Sequence, residues 1–260
     1  MQQTLGQFQR MPGVGSRTLL QAQRQSRRSL LKGFVLLAGG SALGYGGWRY
    51  QRPEMLQSPR GERLSVTLAD GSHLLLNSDS AVEVAYDQGQ RRLILHRGEI
   101  LVTTAHDPQS RGFFVQVGQG RIQALGTRFS VRLHDQAAEV AVFEHQVRLT
   151  PLHGPALLLD AGQQSTLTPQ AATQPVPTTP GQDAWSNGLL VANRQRLDAF
   201  IAELGRYRQG WLRCDPAIAG LRISGTFSID DTDSALRALE ASLPVKRLER
   251  TRYWVTLVPR

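Results

Sequence analysis

Between residues 60 and 168, apolar and polar positions alternate in short runs. Leu64, Val66 and Leu68 form one run, and Val82, Val84 and Tyr86 a second. Phe129, Val131 and Leu133 follow, then Val140 and Val142, then Val147 and Leu149. A period of two buries one face of an extended chain, so each run predicts a strand. The runs are separated by turn formers: Asp70-Gly71, Asn77-Ser78-Asp79, Gly89, Gly98, Gly118-Gln119-Gly120 and Gly126. About a dozen strands spaced roughly 8 to 12 residues apart predict a sandwich, jelly roll or short β-solenoid.

The pattern changes near residue 169. Residues 169–184 carry Pro169, Pro175, Pro177 and Pro180 among Thr, Gln and Ala, without an aromatic residue, and predict a linker. Beyond Trp185 the period becomes helical, with Leu197, Phe200, Ile201, Leu204 and Tyr207 in one stripe. Leu221 to Phe227 predicts a strand with Leu221, Ile223 and Gly225 on one side, and Asp233 a helix N-cap ahead of Leu236 and Leu239. That helix should halt before Pro244, and Tyr253 to Val258 should close the chain as a strand. The fold class expected is therefore mainly β plus α+β: an all-β domain over 56–168, the linker, and a small α+β domain over 185–260.

The N-terminal fifth follows neither pattern. Gly33 to Trp48 is an uncharged run bounded by Lys32 and Arg49. Counted from Leu30, with Lys32 snorkelling, it spans about 28 Å as a helix, near the thickness of a hydrocarbon core. Six basic residues precede it, and Tyr45, Trp48 and Tyr50 gather at its far end. By the positive-inside rule residues 1–32 form a cytoplasmic tail, 33–50 a single membrane anchor, and the bulk lies outside the cytoplasm. Ser26 to Lys32 reads SRRSLLK, close to the twin-arginine export pattern, with Arg27 and Arg28 as the pair. With no clear cleavage site before Arg49, a retained anchor is expected.

Charge sharpens the picture. The formal net charge is +9, which first suggests nucleic acid. Residues 1–53, however, hold eight basic residues and no acid, and from Glu54 onward 22 basic residues face 21 acidic ones. The excess therefore flanks the apolar segment and does not face phosphates on a folded body, so no direct nucleic-acid partner is expected. A single cysteine, Cys214, excludes an intrachain disulfide. Six scattered histidines show no metal-ligand spacing, and Asp230, Asp231 and Asp233 lack the later ligand positions of a calcium loop. No phosphate loop, nucleophile elbow or dinucleotide fingerprint occurs. No catalytic residue, metal or cofactor is called for, and the chain is not read as an enzyme.

Ordered motifs then carry a resemblance. Arg60-Gly61-Glu62, Leu68-Ala69-Asp70-Gly71-Ser72, Leu76-Asn77 and Ser80 open it; Arg91-Arg92, Leu95, Gly98-Glu99 and Phe114-Val115 continue it. Ala124-Leu125-Gly126-Thr127, Phe129, Val131-Arg132, Val142, Glu144, Val147 and Ala161-Gly162-Gln163 complete the β region. Together they resemble the FecR family of membrane-spanning regulators. Leu204, Arg206-Tyr207-Arg208, Asp215-Pro216, Ser224-Gly225-Thr226-Phe227 and Ala235-Leu236 are similar to the small domain shared with secretins and outer-membrane receptors. His145 departs from the family, which has Gly in a V-x-E-G-x-V turn; an altered turn with a surviving strand pair is expected.

The resemblance implies an inner-membrane signal transducer. Its partners would be the N-terminal signalling domain of an outer-membrane TonB-dependent receptor and an extracytoplasmic-function sigma factor, in iron uptake. Leu204, Tyr207, Trp211, Leu221 and Ile223 are the candidate partner contacts, through edge-strand pairing and apolar burial. The family's cytoplasmic segment is longer and contains tryptophan; residues 1–32 have no Trp and one Phe. Either a shortened tail that orders on binding or a start further upstream is expected. A tethered periplasmic β-domain that binds glycan or lipid is the alternative function.

Overall fold

The computed structural model describes residues 54–260, and Arg52–Arg260 form one compact unit. The protein is mainly β. Strands β1 (Glu54–Ser58), β2 (Leu64–Thr67), β3 (His73–Leu76), β4 (Ser80–Tyr86), β5 (Gln90–Arg97), β6 (Glu99–Thr103) and β7 (Gly112–Val117) come first. They are followed by β8 (Gly120–Ala124), β9 (Arg128–Leu133), β10 (Ala138–Glu144), β11 (Gln146–Pro151), β12 (Leu157–Asp160), β13 (Gln163–Leu167) and β14 (Val176–Pro177). They build two seven-stranded sheets, ordered β1-β4-β5-β7-β8-β11-β12 and β14-β13-β10-β9-β6-β3-β2. The alternating residues of both inner faces, among them Leu74, Leu93, Phe113, Ile122, Phe129 and Leu149, meet in one core. Period-two burial in strands such as β7, β8 and β11 is the alternation read from the sequence, now split between core and solvent.

The chain passes repeatedly from one sheet to the other through single residues in the left-handed region. Gly98 (φ +85°) joins β5 to β6 in this way, and a Cβ there would lie 2.6 Å from the Asp79 carbonyl oxygen and from Ser80 Cα. Only glycine fits that approach. His145 makes the equivalent corner between β10 and β11 with φ +56°. The corner takes the left-handed form in spite of the side chain. β10 and β11 are not the expected pair: β10 pairs with β9 and β13, and β11 with β8 and β12. Period two reports which face a strand buries, not which sheet it joins.

The C-terminal lobe runs β15 (Leu189–Arg196), α1 (Leu197–Leu204), β16 (Trp211–Cys214), β17 (Arg222–Ser228), α2 (Thr232–Ser242), β18 (Val245–Thr251) and β19 (Trp254–Pro259). It holds a two-stranded sheet, β15-β17, and a three-stranded sheet, β16-β19-β18. Both helices place their stripes, Leu197, Phe200, Ile201 and Leu204 and then Ala235, Leu236 and Leu239, in a second core with Ile223, Phe227, Val255 and Leu257. The cap of α2 is Asp231, whose side chain accepts from the Ser234 amide. Asp233, the expected cap, sits in the first turn and pairs with Arg208 at 2.6 Å. A cap needs its oxygen two or three residues ahead of an orphan amide, and Asp231 satisfies that.

Residues 169–184 do not behave as a linker that few contacts cross. Val176 and Pro177 pair with β13 as β14, and Ala172 bridges Leu167. The Thr178 amide donates to the Gly162 carbonyl at 2.9 Å. With only Ala172 packed against the sandwich core and Val176 exposed, the segment is ordered mainly by hydrogen bonds along a sheet edge, where proline is tolerated. A 3-10 turn, Ala184–Asn187, then buries Trp185 in a third core with Leu101 of the sandwich and Tyr207 and Ile229 of the C-terminal lobe. Among the described residues no helix is long and apolar enough to cross a membrane. Residues 33–50 and the Arg27-Arg28 pair lie outside the described residues.

Candidate functional site

The outer face of the β16-β19-β18 sheet carries exposed aromatic side chains interleaved with cations. The inward positions Leu212, Val255, Leu257 and Val245 join the second core, so the opposite parity faces solvent. Trp211 and Trp254 are directly opposed across the parallel β16-β19 pair. Trp211 is 60% exposed and Trp254 38%. The Arg213 guanidinium lies 5.5 Å from the Trp211 ring and 5.6 Å from the Trp254 ring, and Arg250 lies 5.8 Å from Trp254 on the other side. Leu248 and Tyr253 extend the exposed apolar surface. Gly210 seats Trp211: its φ is +96°, and a Cβ there would lie 2.7 Å from Tyr253 Cα. The Trp211 amide donates to the Tyr253 carbonyl at 2.6 Å. Exposed Trp and Arg in one patch are the residue types that dominate protein–protein contacts.

The five expected contact residues do not gather on this face. Trp211 does lie on it. Leu204 and Ile223 are core residues of the C-terminal lobe, and Leu221 packs half-buried against that core. Tyr207, in a 3-10 turn after α1, is buried between the lobes. Helical and strand periodicity marked these four because they are apolar and periodic, which is the signature of a core. Trp254, Arg250 and Leu248 share the face with Trp211 and carry no helical stripe of their own. The alternation of Trp254 with buried Val255 and Leu257 was the available signal, since it assigns Trp254 to solvent.

The junction between the lobes is a charged network. Arg206 pairs with Glu99 of β6 at 2.9 Å and with Glu203 of α1 at 2.6 Å, and Glu203 also holds Arg132 of β9 at 2.9 Å. Asn77 donates to Glu99 at 2.8 Å and to the Tyr207 hydroxyl at 2.9 Å. Arg60 donates to the Gly205 carbonyl and Arg63 to that of Trp185. Burial raises the Glu203 carboxyl, but Arg206 and Arg132 outweigh it and hold the pKa below the usual range. The Tyr207 hydroxyl, desolvated and facing Glu203 and Glu99 as well as Arg206, is pushed up to about 12. Among the described residues no three His, Cys, Asp or Glu side chains come together in a way that would hold a metal ion.

Residues 54–148 match the family model described as FecR protein. This segment belongs to the FecR family. The FecR segment covers β1 to β11 and ends within the sandwich, so the tryptophan face lies outside the matched residues. None of the curated proteins matches the chain. Two crystal structures of a candidate anti-sigma factor from Parabacteroides distasonis ATCC 8503, at 2.50 Å and 1.65 Å, are similar over 80% of this chain. They are 20% identical to it, with a TM-score of 0.65, and are themselves covered over 100% and 99% of their length. At that identity the likeness is one of fold. It extends beyond the FecR segment, because 80% of the chain exceeds residues 54–148 by a wide margin.

Proposed function

We propose that this chain is a single-pass, non-enzymatic regulator of an extracytoplasmic-function sigma factor. Its N-terminus lies in the cytoplasm and residues 54–260 lie in the periplasm. The FecR match over residues 54–148 carries the reading, and the anti-sigma fold neighbours support it. The input would be the state of an outer-membrane TonB-dependent receptor, in iron uptake, received on the Trp211–Trp254 face. That face offers aromatic anchors with flanking cations and needs no catalytic chemistry.

Two experiments test this. A reporter fused after Arg260 should be active only outside the cytoplasm; cytoplasmic activity overturns the topology. Residues 54–260 should bind the receptor's N-terminal domain, and Trp211→Ala with Trp254→Ala should weaken binding by at least about 30-fold, from roughly 1 to 2 kcal/mol per anchor. Unchanged affinity of the folded double variant removes the face from the interaction. Capture of the sigma factor by residues 1–32 tests the cytoplasmic end.

A further inference from the structure

The outer face of the first sheet carries three arginines, Arg92, Arg121 and Arg148, that form no ion pair among the described residues. Register places Arg92 of β5 beside Phe114 of β7, Phe114 beside Gln123 of β8, Gln123 beside Arg148 of β11, and Arg148 beside exposed Leu158 of β12. The Arg121 guanidinium of β8 sits over the Phe114 ring, 3.4 Å from its centroid, and donates to the Gln90 side chain at 2.6 Å. Arg92 Nε and Arg121 Nε are both buried with no hydrogen-bond partner among the described residues. Desolvation, and then the neighbouring Arg92, lower the Arg121 pKa. The acids nearby are committed elsewhere. Asp87, which feels Arg92, is bonded to the amides of Gly89 and Gln90; Glu83 faces His96; Asp160 takes the Gln146 amide. Arg92 and Arg121 are close enough to feel each other's charge, and Arg148 stands three strands away from Arg92 along the same row, so the face presents spaced guanidinium groups of the kind that pair with phosphate oxygens.

We propose that this sheet face rests on the phosphate headgroups of an anionic bilayer, with Arg92, Arg121 and Arg148 as the phosphate ligands. The occupant follows from chain connectivity together with charge complementarity. β1, at the edge of this same sheet, begins at Glu54, four residues after the end of the expected anchor at Tyr50. Four residues span at most about 14 Å. The choice of a bilayer therefore rests on the anchor reading above, whereas the arginine cluster itself does not.

The test uses residues 52–260, the compact unit with its own cores, so binding cannot come from the anchor. Co-sedimentation with vesicles of phosphatidylcholine and 30% phosphatidylglycerol is expected, with weakening between 50 and 500 mM NaCl. Pure phosphatidylcholine vesicles should not bind, and 20 mM inorganic phosphate at constant ionic strength should not displace the protein. Arg92→Gln, Arg121→Gln and Arg148→Gln together should lower partitioning about 100-fold. Arg148→Glu alone, an exposed position that leaves the Phe114 stack intact, should lower it several-fold. Arg213→Gln with Arg250→Gln should leave it unchanged. Absence of binding to the anionic vesicles, insensitivity to the triple variant and to Arg148→Glu, or displacement by phosphate each overturns the proposal. The anchor reading fails separately, through the reporter fusion.

Discussion

Removing Arg206 should unlatch the two lobes. Its guanidinium bridges Glu99 of the sandwich and Glu203 of α1, at 2.9 and 2.6 Å. The Glu99 side chain is 7% exposed, and after Arg206→Ala its carboxylate would keep only the Asn77 amide. Breaking a fully buried pair costs about 3 to 5 kcal/mol. Arg206 and Glu203 are each about one-fifth exposed, and Arg132 continues to hold Glu203. The expected loss is therefore about 2 to 3 kcal/mol. Urea unfolding of residues 52–260 should show one cooperative transition for the parent, because Trp185, Tyr207 and Ile229 tie the C-terminal lobe to Leu101. Glu99→Gln with Arg206→Met removes both charges and should cost less than the sum of the single changes, by at least about 1 kcal/mol. Single losses below about 0.5 kcal/mol, or strict additivity, would refute the latch. Residues 185–260 expressed alone would expose the third core and should unfold at lower urea than the intact unit.

Three further outcomes are expected. The folded-state pKa of Glu203 lies below its unfolded value, so its contribution is present above about pH 4.3 and lost as pH falls through the lower folded value. The cost of Arg206→Ala should accordingly shrink below about pH 4 in acid titrations; a constant cost argues against the ion pair. Gly210→Ala should cost at least about 2 kcal/mol, from the left-handed backbone and the clash with the Tyr253 backbone. It should also lower Trp fluorescence anisotropy by loosening Trp211, and an unchanged melting temperature would contradict it. His145→Gly should stabilise by roughly 0.5 kcal/mol, because about 1 to 2 kcal/mol of left-handed strain is relieved against about 0.5 to 1 kcal/mol of backbone entropy. A lower melting temperature would show that the imidazole contributes contacts.

Local rules determined a large part of this protein. Alternation at Val82, Val84 and Tyr86 or at Val147 and Leu149 was enough to name a strand, because burial of one face is encoded two residues at a time. The stripe from Leu197 to Leu204 was enough to name α1 for the same reason at the helical period. Sheet membership was not encoded that way: Gly98 and His145 turn the chain between sheets, and nothing in the period distinguishes such a corner from a hairpin. Residues 169–184 read as unstructured because their order comes from backbone bonds to β13, which composition does not register. The candidate surface was half legible, as Trp211 alone. Trp254, Arg213 and Arg250 became a site only when the parallel β16-β19 pair set the two indoles side by side. The sheet-face arginines were counted in the sequence and balanced by acids there; only the register of five strands separated Arg92, Arg121 and Arg148 from their counter-charges. Composition sums charge over the chain, whereas a surface feels it over a few ångströms, and that distance is set by tertiary structure.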